Sequence, residues 1–220
     1  MGNKQSLPQA QNWDHFWSLD QTHANVSWSK KRIIKILEPY LVKGKSALDA
    51  GCGSGFFAKY FCDWQMQTVA LDYSDQALAI TREATQGRAE ILKKNLLSPA
   101  LPQEIHHRFD LIFSDGLLEH FSKEDQDKIF HNLFSLLSPN GVVVTFVPNR
   151  WSPWELIRPF YMPGIDETPF VLKELIDLNE RNGFVVINHG GVNTLPFAFS
   201  PDSWFGSTFG MLLFTLANKK

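Results

Sequence analysis

The feature that most constrains the fold is a glycine-rich turn between a short apolar strand and a helix. The predicted strand covers Ser46–Ala50, and the turn reads Gly51-Cys52-Gly53-Ser54-Gly55. Glycine lets the backbone bend sharply and lets a ligand approach without meeting a side chain. Such a turn after the first strand of an α/β unit is typical of a nucleotide site at the carboxyl edge of a parallel sheet. The alternative is a purely structural turn, because a lone glycine motif does not prove a ligand.

The rest of the chain repeats the order of strand and helix. Further strands are predicted at Thr68–Asp72, Ala89–Lys93, Phe109–Ser114, Val142–Val147, Phe184–Asn188 and, as a possible seventh, Phe209–Ala217. Helices are predicted between them, including one at about Ser29–Leu41 and one that starts at Thr168-Pro169. This alternation predicts a mostly parallel sheet with helices on both faces. We therefore expect an α/β fold, a Rossmann-like three-layer sandwich.

Length and composition fit one globular domain. The chain has 220 residues, of which 44% are hydrophobic and 20% charged, and its formal net charge is −2. The small net charge gives no overall field that would attract nucleic acid or an anionic membrane. We expect a single domain over residues 1–220, with an N-terminal helical cap (1–45), a cofactor-binding core (46–147) and a substrate-side insertion with the C-terminal strands (148–220).

Composition also bears on compartment, modification and metal content. Two cysteines, Cys52 and Cys62, make no disulfide framework, which favours a reducing, cytoplasmic location. No apolar run reaches the roughly 18 residues of a membrane-spanning helix, and the N-terminus shows no signal-peptide core. Met1–Ser6 fits the pattern for myristoylation of Gly2, but no basic stretch follows, and a chance match is the alternative. No spacing typical of metal ligands is present, so we expect no metal.

Asp72, at the end of the second predicted strand, extends the glycine motif. A carboxylate about 20 residues after the turn suits hydrogen bonds to the hydroxyls of an adenosine ribose. Both a dinucleotide and S-adenosylmethionine carry that ribose. The dinucleotide-binding motif has glycine at the position where this chain has Phe56, and the carboxylate of Asp49 would repel the pyrophosphate. S-adenosylmethionine carries a sulfonium and an ammonium instead, and a carboxylate favours both charges.

At these residues the chain resembles a known family. Leu48–Gly55 is similar to the first motif of class I S-adenosylmethionine-dependent methyltransferases, and Leu71-Asp72 is similar to their second, acidic motif. Further similar segments are Phe109–Ile112 and Leu118–Phe121, which resemble the fourth-strand segment of the small-molecule branch, and Leu136–Gly141, which resembles the turn before the fifth strand. The resemblance covers roughly residues 30–190. It implies a seven-stranded, mostly parallel sheet whose last strand is antiparallel.

The resemblance also implies the cofactor and its contacts. It places the methionine end of S-adenosyl-L-methionine against Asp49 and the glycine turn, the ribose against Asp72, and the adenine against Tyr73. The full predicted set is Asp49, Ala50, Gly51, Cys52, Gly53, Gly55, Asp72, Tyr73, Asn95, Leu96 and Ser114. Many relatives have Asp where this chain has Asn95, and an amide oxygen can still accept from the exocyclic amine of adenine. S-adenosyl-L-homocysteine is the expected product.

Methyl transfer depends mainly on positioning, because the sulfonium already activates the methyl carbon for in-line displacement. His120 is the leading candidate for a general base, since its ordinary pKa lies near physiological pH, and Glu119 is the second. The alternative is that His120 only contacts the cofactor or caps a turn. The segment Ser114–Leu117 lacks the Asn/Asp-Pro-Pro-aromatic motif of methyltransferases that modify bases, which argues against a nucleic-acid substrate.

Aromatic residues suggest the kind of acceptor. Trp151 and Tyr161, with Trp17 in an N-terminal lid, are predicted to line a pocket for a small, apolar or aromatic molecule, although most aromatic side chains serve the core. We therefore predict a methyltransferase that acts on a small molecule. An NAD-dependent oxidoreductase and a non-catalytic S-adenosylmethionine-binding module are the alternatives, and the sequence leaves the oligomeric state open.

Overall fold

The computed structural model describes residues 27–156 and 167–220, and their strands form one sheet. The strands are β1 (Ser46–Ala50), β2 (Gln67–Asp72), β3 (Glu90–Lys93), β4 (Phe109–Asp115), β5 (Leu137–Pro148), β6 (Phe184–Val192) and β7 (Leu212–Lys219). Their order is β3-β2-β1-β4-β5-β7-β6. β7 runs antiparallel to both β5 and β6, and the other pairings are parallel. The predicted seven-stranded sheet with an antiparallel last strand is confirmed.

Helices cover both faces of this sheet. The α-helices are α1 (Trp28–Leu37), α2 (Phe56–Asp63), α3 (Asp75–Thr85), α4 (Leu101–Glu104), α5 (Lys123–Leu136), α6 (Leu172–Arg181) and α7 (Asp202–Phe209), and short 3-10 turns lie at Glu38–Tyr40, Leu118–His120 and Pro153–Leu156. Side chains alternate between the faces of a strand, so the β1 neighbours Ala47 and Leu48 belong to different apolar clusters. The Leu48 cluster includes α5 and α6, and the Ala47 cluster includes α1 and α2. The predicted three-layer arrangement is therefore confirmed.

Local hydrogen bonds explain where several helices begin. The Ser74 hydroxyl accepts from the Ala77 N–H at the start of α3, and the Ser122 hydroxyl accepts from the Asp125 N–H at the start of α5. Both serines cap their helices, because a short oxygen-bearing side chain satisfies an otherwise unpaired N–H of the first turn. The helix predicted up to Leu41 ends at Leu37, where the chain continues as a 3-10 turn.

Two predictions for the C-terminal third were wrong. The helix expected from Thr168-Pro169 begins at Leu172, because Phe170 is paired with the end of β5: its N–H donates to the Pro148 carbonyl. Phe209, expected to open the last strand, instead ends helix α7. That helix passes close to β6, and a Cβ on Gly206 would collide with the backbone of Gly191.

Some expectations fall on residues that the structure does not describe. Gly2, Trp17 and Tyr161 lie outside the described residues. The division of the chain at residues 45 and 147 stays a prediction. Across residues 27–156 and 167–220, no helix is both long and apolar enough to cross a membrane.

Candidate functional site

A cavity of about 480 Å³ opens at the carboxyl edge of the sheet. Three aspartates from adjacent strands border it: Asp49 near the end of β1, Asp72 at the end of β2 and Asp115 at the end of β4. Carboxyl ends of parallel strands meet at one edge, which is where open α/β sheets bind ligands. Because the order is β3-β2-β1-β4-β5, loops after β2 and β3 border the cavity on one side of β1. Loops after β4 and β5 border it on the other.

The glycine turn is held by left-handed backbone and close packing. Gly51 and Gly55 have φ values of 76° and 70°, which side chains with a Cβ rarely adopt. A Cβ on Gly55 would lie 2.7 Å from the Cα of Thr81 in α3, so this glycine also lets α2 and α3 approach. The turn therefore opens directly into α2 and leaves backbone of Gly51 and Gly53 on the cavity wall.

Asp72 is fixed by backbone donors. Its Oδ2 accepts from the Gly53 N–H at 3.0 Å, and its Oδ1 accepts from the N–H groups of Tyr73 and Ser74 at 2.7 and 2.9 Å. These bonds tie the end of β2 to the glycine turn. The carboxylate borders the cavity in a set orientation and could accept hydrogen bonds from a pair of ligand hydroxyls.

Asp49 is a buried carboxyl group at the start of the turn. It is 3% exposed, and its Oδ2 accepts from the Ala58 N–H in α2 at 2.9 Å. Burial raises the pKa of Asp49 to about 8, and the charges of Asp115 and Asp72 act in the same direction, while the Ala58 bond opposes them. A positively charged ligand beside Asp49 would favour its ionised form.

The structure brings most of the predicted cofactor residues to the cavity, but not all. Those on its wall are Asp49, Gly51, Cys52, Gly53, Asp72, Tyr73, Asn95 and Leu96. The Asn95 Oδ1 accepts from the Leu97 N–H at 2.9 Å and so shapes the loop after β3. Ala50, Gly55 and Ser114 are not among the lining residues.

Asp115, rather than the predicted Ser114, lies on the cavity wall at the end of β4. Side chains alternate along β4, so Phe113 and Asp115 face the cavity, whereas the Ser114 hydroxyl donates to the Thr145 hydroxyl inside the sheet. Burial raises the pKa of Asp115 to about 7, and the positive charge of Lys30 opposes that rise. The sequence could have indicated Asp115 as a cavity residue, since it directly follows the predicted end of the fourth strand.

An acidic cluster borders the cavity on the side of β4. The 3-10 turn Leu118–His120 places Glu119 and His120 there, with 3.9 Å between His120 Nε2 and Glu119 Oε1. Glu167 joins them, because the Thr168 N–H donates to the Glu119 carbonyl at 2.8 Å. One potential ligand atom of each of Glu119, His120 and Glu167 lies within 4.8 Å of the others.

Glu119 is the most enclosed member of this cluster. It is 3% exposed, and its Oε2 has no hydrogen-bond partner among the residues that the structure describes. Burial holds the pKa of Glu119 well above its usual range, and the charges of Glu167, Asp115 and Glu155 act in the same direction. Sequence reasoning found Glu119 and His120 but missed Glu167, which no local pattern connects to them.

The aromatic residues predicted for the acceptor pocket are only partly described. Trp151 is 63% exposed and is not among the residues that line the cavity. Trp154, from the next turn, does line it, as do Phe56, Leu117 and Met211. Both the predicted Trp17 and Tyr161 fall outside the described residues.

Comparison with known proteins identifies the domain. Residues 47–141 match a family model described as a methyltransferase domain. A probable S-adenosylmethionine-dependent methyltransferase of Mycolicibacterium smegmatis is 31% identical over 153 residues, which cover 68% of this chain and 55% of that protein. A ubiquinone biosynthesis O-methyltransferase of Azotobacter vinelandii is 28% identical over 120 residues, which cover 54% of this chain and 51% of that protein. The chain thus spans about half the length of these curated relatives.

The fold agrees with this match. A crystal structure of an S-adenosylmethionine-dependent methyltransferase from Anabaena variabilis superposes with a TM-score of 0.71 at 17% identity, covering 99% of this chain and 98% of that chain. The sheet order, the glycine turn and the carboxylate after β2 define a Rossmann-like nucleotide-binding protein. With the family model and the curated relatives, residues 47–141 form a methyltransferase domain of the class I S-adenosylmethionine-dependent type, a family whose cofactor is S-adenosylmethionine. The family, fold and cofactor inferred from the sequence are confirmed.

Proposed function

We propose that this protein transfers the methyl group of S-adenosylmethionine to a small, largely apolar or aromatic acceptor. The observation that carries the proposal is the single continuous cavity that joins the glycine turn and Asp72 to Glu119, His120 and Trp154. Such a cavity would hold cofactor and acceptor side by side, which in-line displacement needs. The backbone of the glycine turn and Asp49 would hold the methionine end, and Asp72 the ribose hydroxyls.

The acceptor class follows from the wall on the side of β4. Phe56, Leu117, Trp154 and Met211 give that wall an apolar surface, and a planar apolar molecule is stabilised by such contacts. Trp154 takes the role that the sequence suggested for Trp151. The curated relative from Azotobacter vinelandii, an O-methyltransferase of ubiquinone biosynthesis, also supports a small-molecule acceptor.

A general base would act only on an acceptor that must lose a proton. His120 remains the leading candidate, because it lines the cavity and its Nε2 lies 3.9 Å from Glu119 Oε1. Glu119 is the second candidate, since a raised pKa lets a carboxyl group accept a proton nearer neutral pH. The non-catalytic alternative predicts cofactor binding without turnover on any acceptor.

The test begins with calorimetry using S-adenosylhomocysteine on wild type and Asp72→Ala. Two charge-assisted bonds to ribose hydroxyls are worth about 3 kcal/mol or more, so the variant should bind about 100-fold more weakly. Asp75→Asn, which neutralises an exposed carboxylate paired with Lys93, should keep wild-type affinity. Unchanged affinity in Asp72→Ala would overturn the ribose assignment.

The second stage is an acceptor screen with methyl-labelled S-adenosylmethionine. Phenols, hydroxyquinones and aromatic amines should include substrates, and polar acceptors such as free amino acids should not. Label transfer to polar acceptors alone would refute the proposed acceptor class. Tight cofactor binding without turnover on any tested class would favour the non-catalytic module.

A further inference from the structure

We propose that Glu119, His120 and Glu167 bind a divalent metal ion of the zinc or manganese type. The first two residues lie on the 3-10 turn Leu118–His120 after β4, and Glu167 lies in the segment that leads to α6. All of them border the cavity, so a bound ion would keep coordination positions open to it. The binding of this ion by the protein does not depend on whether the proposed methyl transfer is correct.

The geometry is close to that of a ligand set. One potential donor atom from each residue lies within 4.8 Å of the other two, and His120 Nε2 is 3.9 Å from Glu119 Oε1. Ligand atoms about 2.0–2.2 Å from a common ion lie about 3–4 Å apart, so side-chain shifts of about 1 Å or less would complete the set. The hydrogen bond from the Thr168 N–H to the Glu119 carbonyl holds the segment of Glu167 against the turn.

A second observation points to a cation at this place. The side chain of Glu119 is 2% exposed, and its Oε2 accepts no hydrogen bond within the described part of the chain. Buried carboxylates are normally paired with donors or cations or coordinate a metal. Here the neighbouring charges that act on Glu119, those of Glu167, Asp115 and Glu155, are negative. A divalent ion would supply both the missing partner and the opposing charge.

The donor types select the kind of ion. Imidazole suits zinc and iron, and carboxylates also suit manganese, whereas magnesium and calcium prefer sites made of oxygen atoms alone. Two carboxylates and a neutral imidazole balance the charge of one divalent ion. At an open position the ion would bind an oxygen of the acceptor and lower the pKa of a hydroxyl there, and with the ion bound this would replace a general-base role of His120. This role, unlike the binding itself, rests on the proposed function.

The test is calorimetric titration of chelator-treated protein with Zn²⁺ and, separately, with Mn²⁺. Wild type should bind about one ion per chain at this site, and Glu119→Gln and Glu167→Gln should each weaken binding by about 100-fold or more. Even outer-shell partners of metal sites are worth about 10- to 100-fold. The matched control is Glu124→Gln, an exposed carboxylate at the start of α5, which should bind like wild type.

Two results would overturn the inference. One is wild-type protein that binds S-adenosylhomocysteine but neither ion. The other is ion binding that persists in both glutamine variants, which would assign it to surface groups such as His107 and Glu90. Affinity for S-adenosylhomocysteine, measured in the same samples, reports on the cofactor site separately and shows that each variant is folded. If Glu119→Gln does not fold, Glu167→Gln decides the question, because that side chain is less buried.

Discussion

The affinity for S-adenosylhomocysteine should rise with pH, because Asp49 must lose a proton when the ligand's ammonium group binds beside it. In the ligand-free site, burial raises the pKa of Asp49 to about 8. Below that pH the carboxyl group is protonated, and releasing its proton costs less free energy as the pH increases. An α-amino group has an ordinary pKa of about 8, so the ligand stays mainly cationic at lower pH.

The size of the effect follows from the ionised fraction. With a pKa of about 8, this fraction rises from about 1% at about pH 6 to about 24% at about pH 7.5, while the cationic fraction of the ligand falls to about 76%. Affinity should therefore increase about 19-fold, or about 1.7 kcal/mol. Calorimetry across this range, in buffers of different ionisation enthalpy, measures both the affinity and the protons released. The cavity also holds Asp115 and Glu119, so a variant has to isolate the contribution of Asp49.

The variant Asp49→Asn isolates the contribution of Asp49 to the pH dependence. Its amide oxygen can still accept from the Ala58 N–H, but the side chain cannot ionise. The variant should lose most of the pH dependence and bind more weakly than wild type at about pH 7.5. Methylthioadenosine, which lacks the ammonium group, should bind wild type with little pH dependence. A flat wild-type profile, or an equal slope in Asp49→Asn, would refute the reasoning.

Two further predictions concern stability and turnover. Gly55→Ala should lower the free energy of unfolding by about 3 kcal/mol in urea titrations, because the alanine would be strained in left-handed backbone and would collide with Thr81. The control is Gly87→Ala, where φ is 71° but the space around a Cβ is open. This control should lose only about 1–2 kcal/mol, the cost of backbone strain. Equal losses would show that the contact with Thr81 does not matter. His120→Ala should reduce turnover on an identified acceptor far more than it reduces affinity for S-adenosylhomocysteine. Equal reductions would indicate a binding role.

The half of the site next to β1 and β2 could be predicted because its determinants are local in sequence. The glycine turn follows its strand directly, and Asp72 ends the next strand. A hydrogen bond from the Gly53 N–H to Asp72 then joins two segments whose spacing the motif already specifies. The fold was predictable for a related reason, since alternating strands and helices leave few arrangements for a parallel sheet.

The other half depends on contacts between distant segments. Glu167 reaches Glu119 through the backbone of Thr168, and no periodicity in the sequence connects those positions. The predicted fourth strand ended at Ser114, yet pairing of Asp115 with Phe146 of β5 extends β4 to include it. Tertiary pairing therefore decided which side chain of that strand faces the cavity.

Helix α7 was missed for a different reason. Its apolar residues do not form a buried stripe, and Trp204 and Phe205 are exposed, so the pattern that normally indicates a helix is absent. What holds the helix is backbone packing of Gly206 against Gly191 and hydrogen bonds from the Asn193 and Thr194 N–H groups to Asp202. Neither contact leaves a periodic signal in the sequence.

The charges of the cavity discriminate between the ligands that its shape alone would admit. Asp49, Asp115 and Glu119 are enclosed carboxyl groups with raised pKa values, so any ligand that adds negative charge has to overcome repulsion or hold them protonated. The pyrophosphate of NAD would add negative charge next to Asp49, whereas S-adenosylmethionine brings a sulfonium and an ammonium. The same reasoning applies on the β4 side, where the carboxyl groups of Glu119 and Glu167 would favour a metal ion or a cationic group over an anionic acceptor. Acceptors that carry a carboxylate or phosphate near the methylated atom are therefore expected to react more slowly than their neutral counterparts, unless the proposed metal ion binds there first.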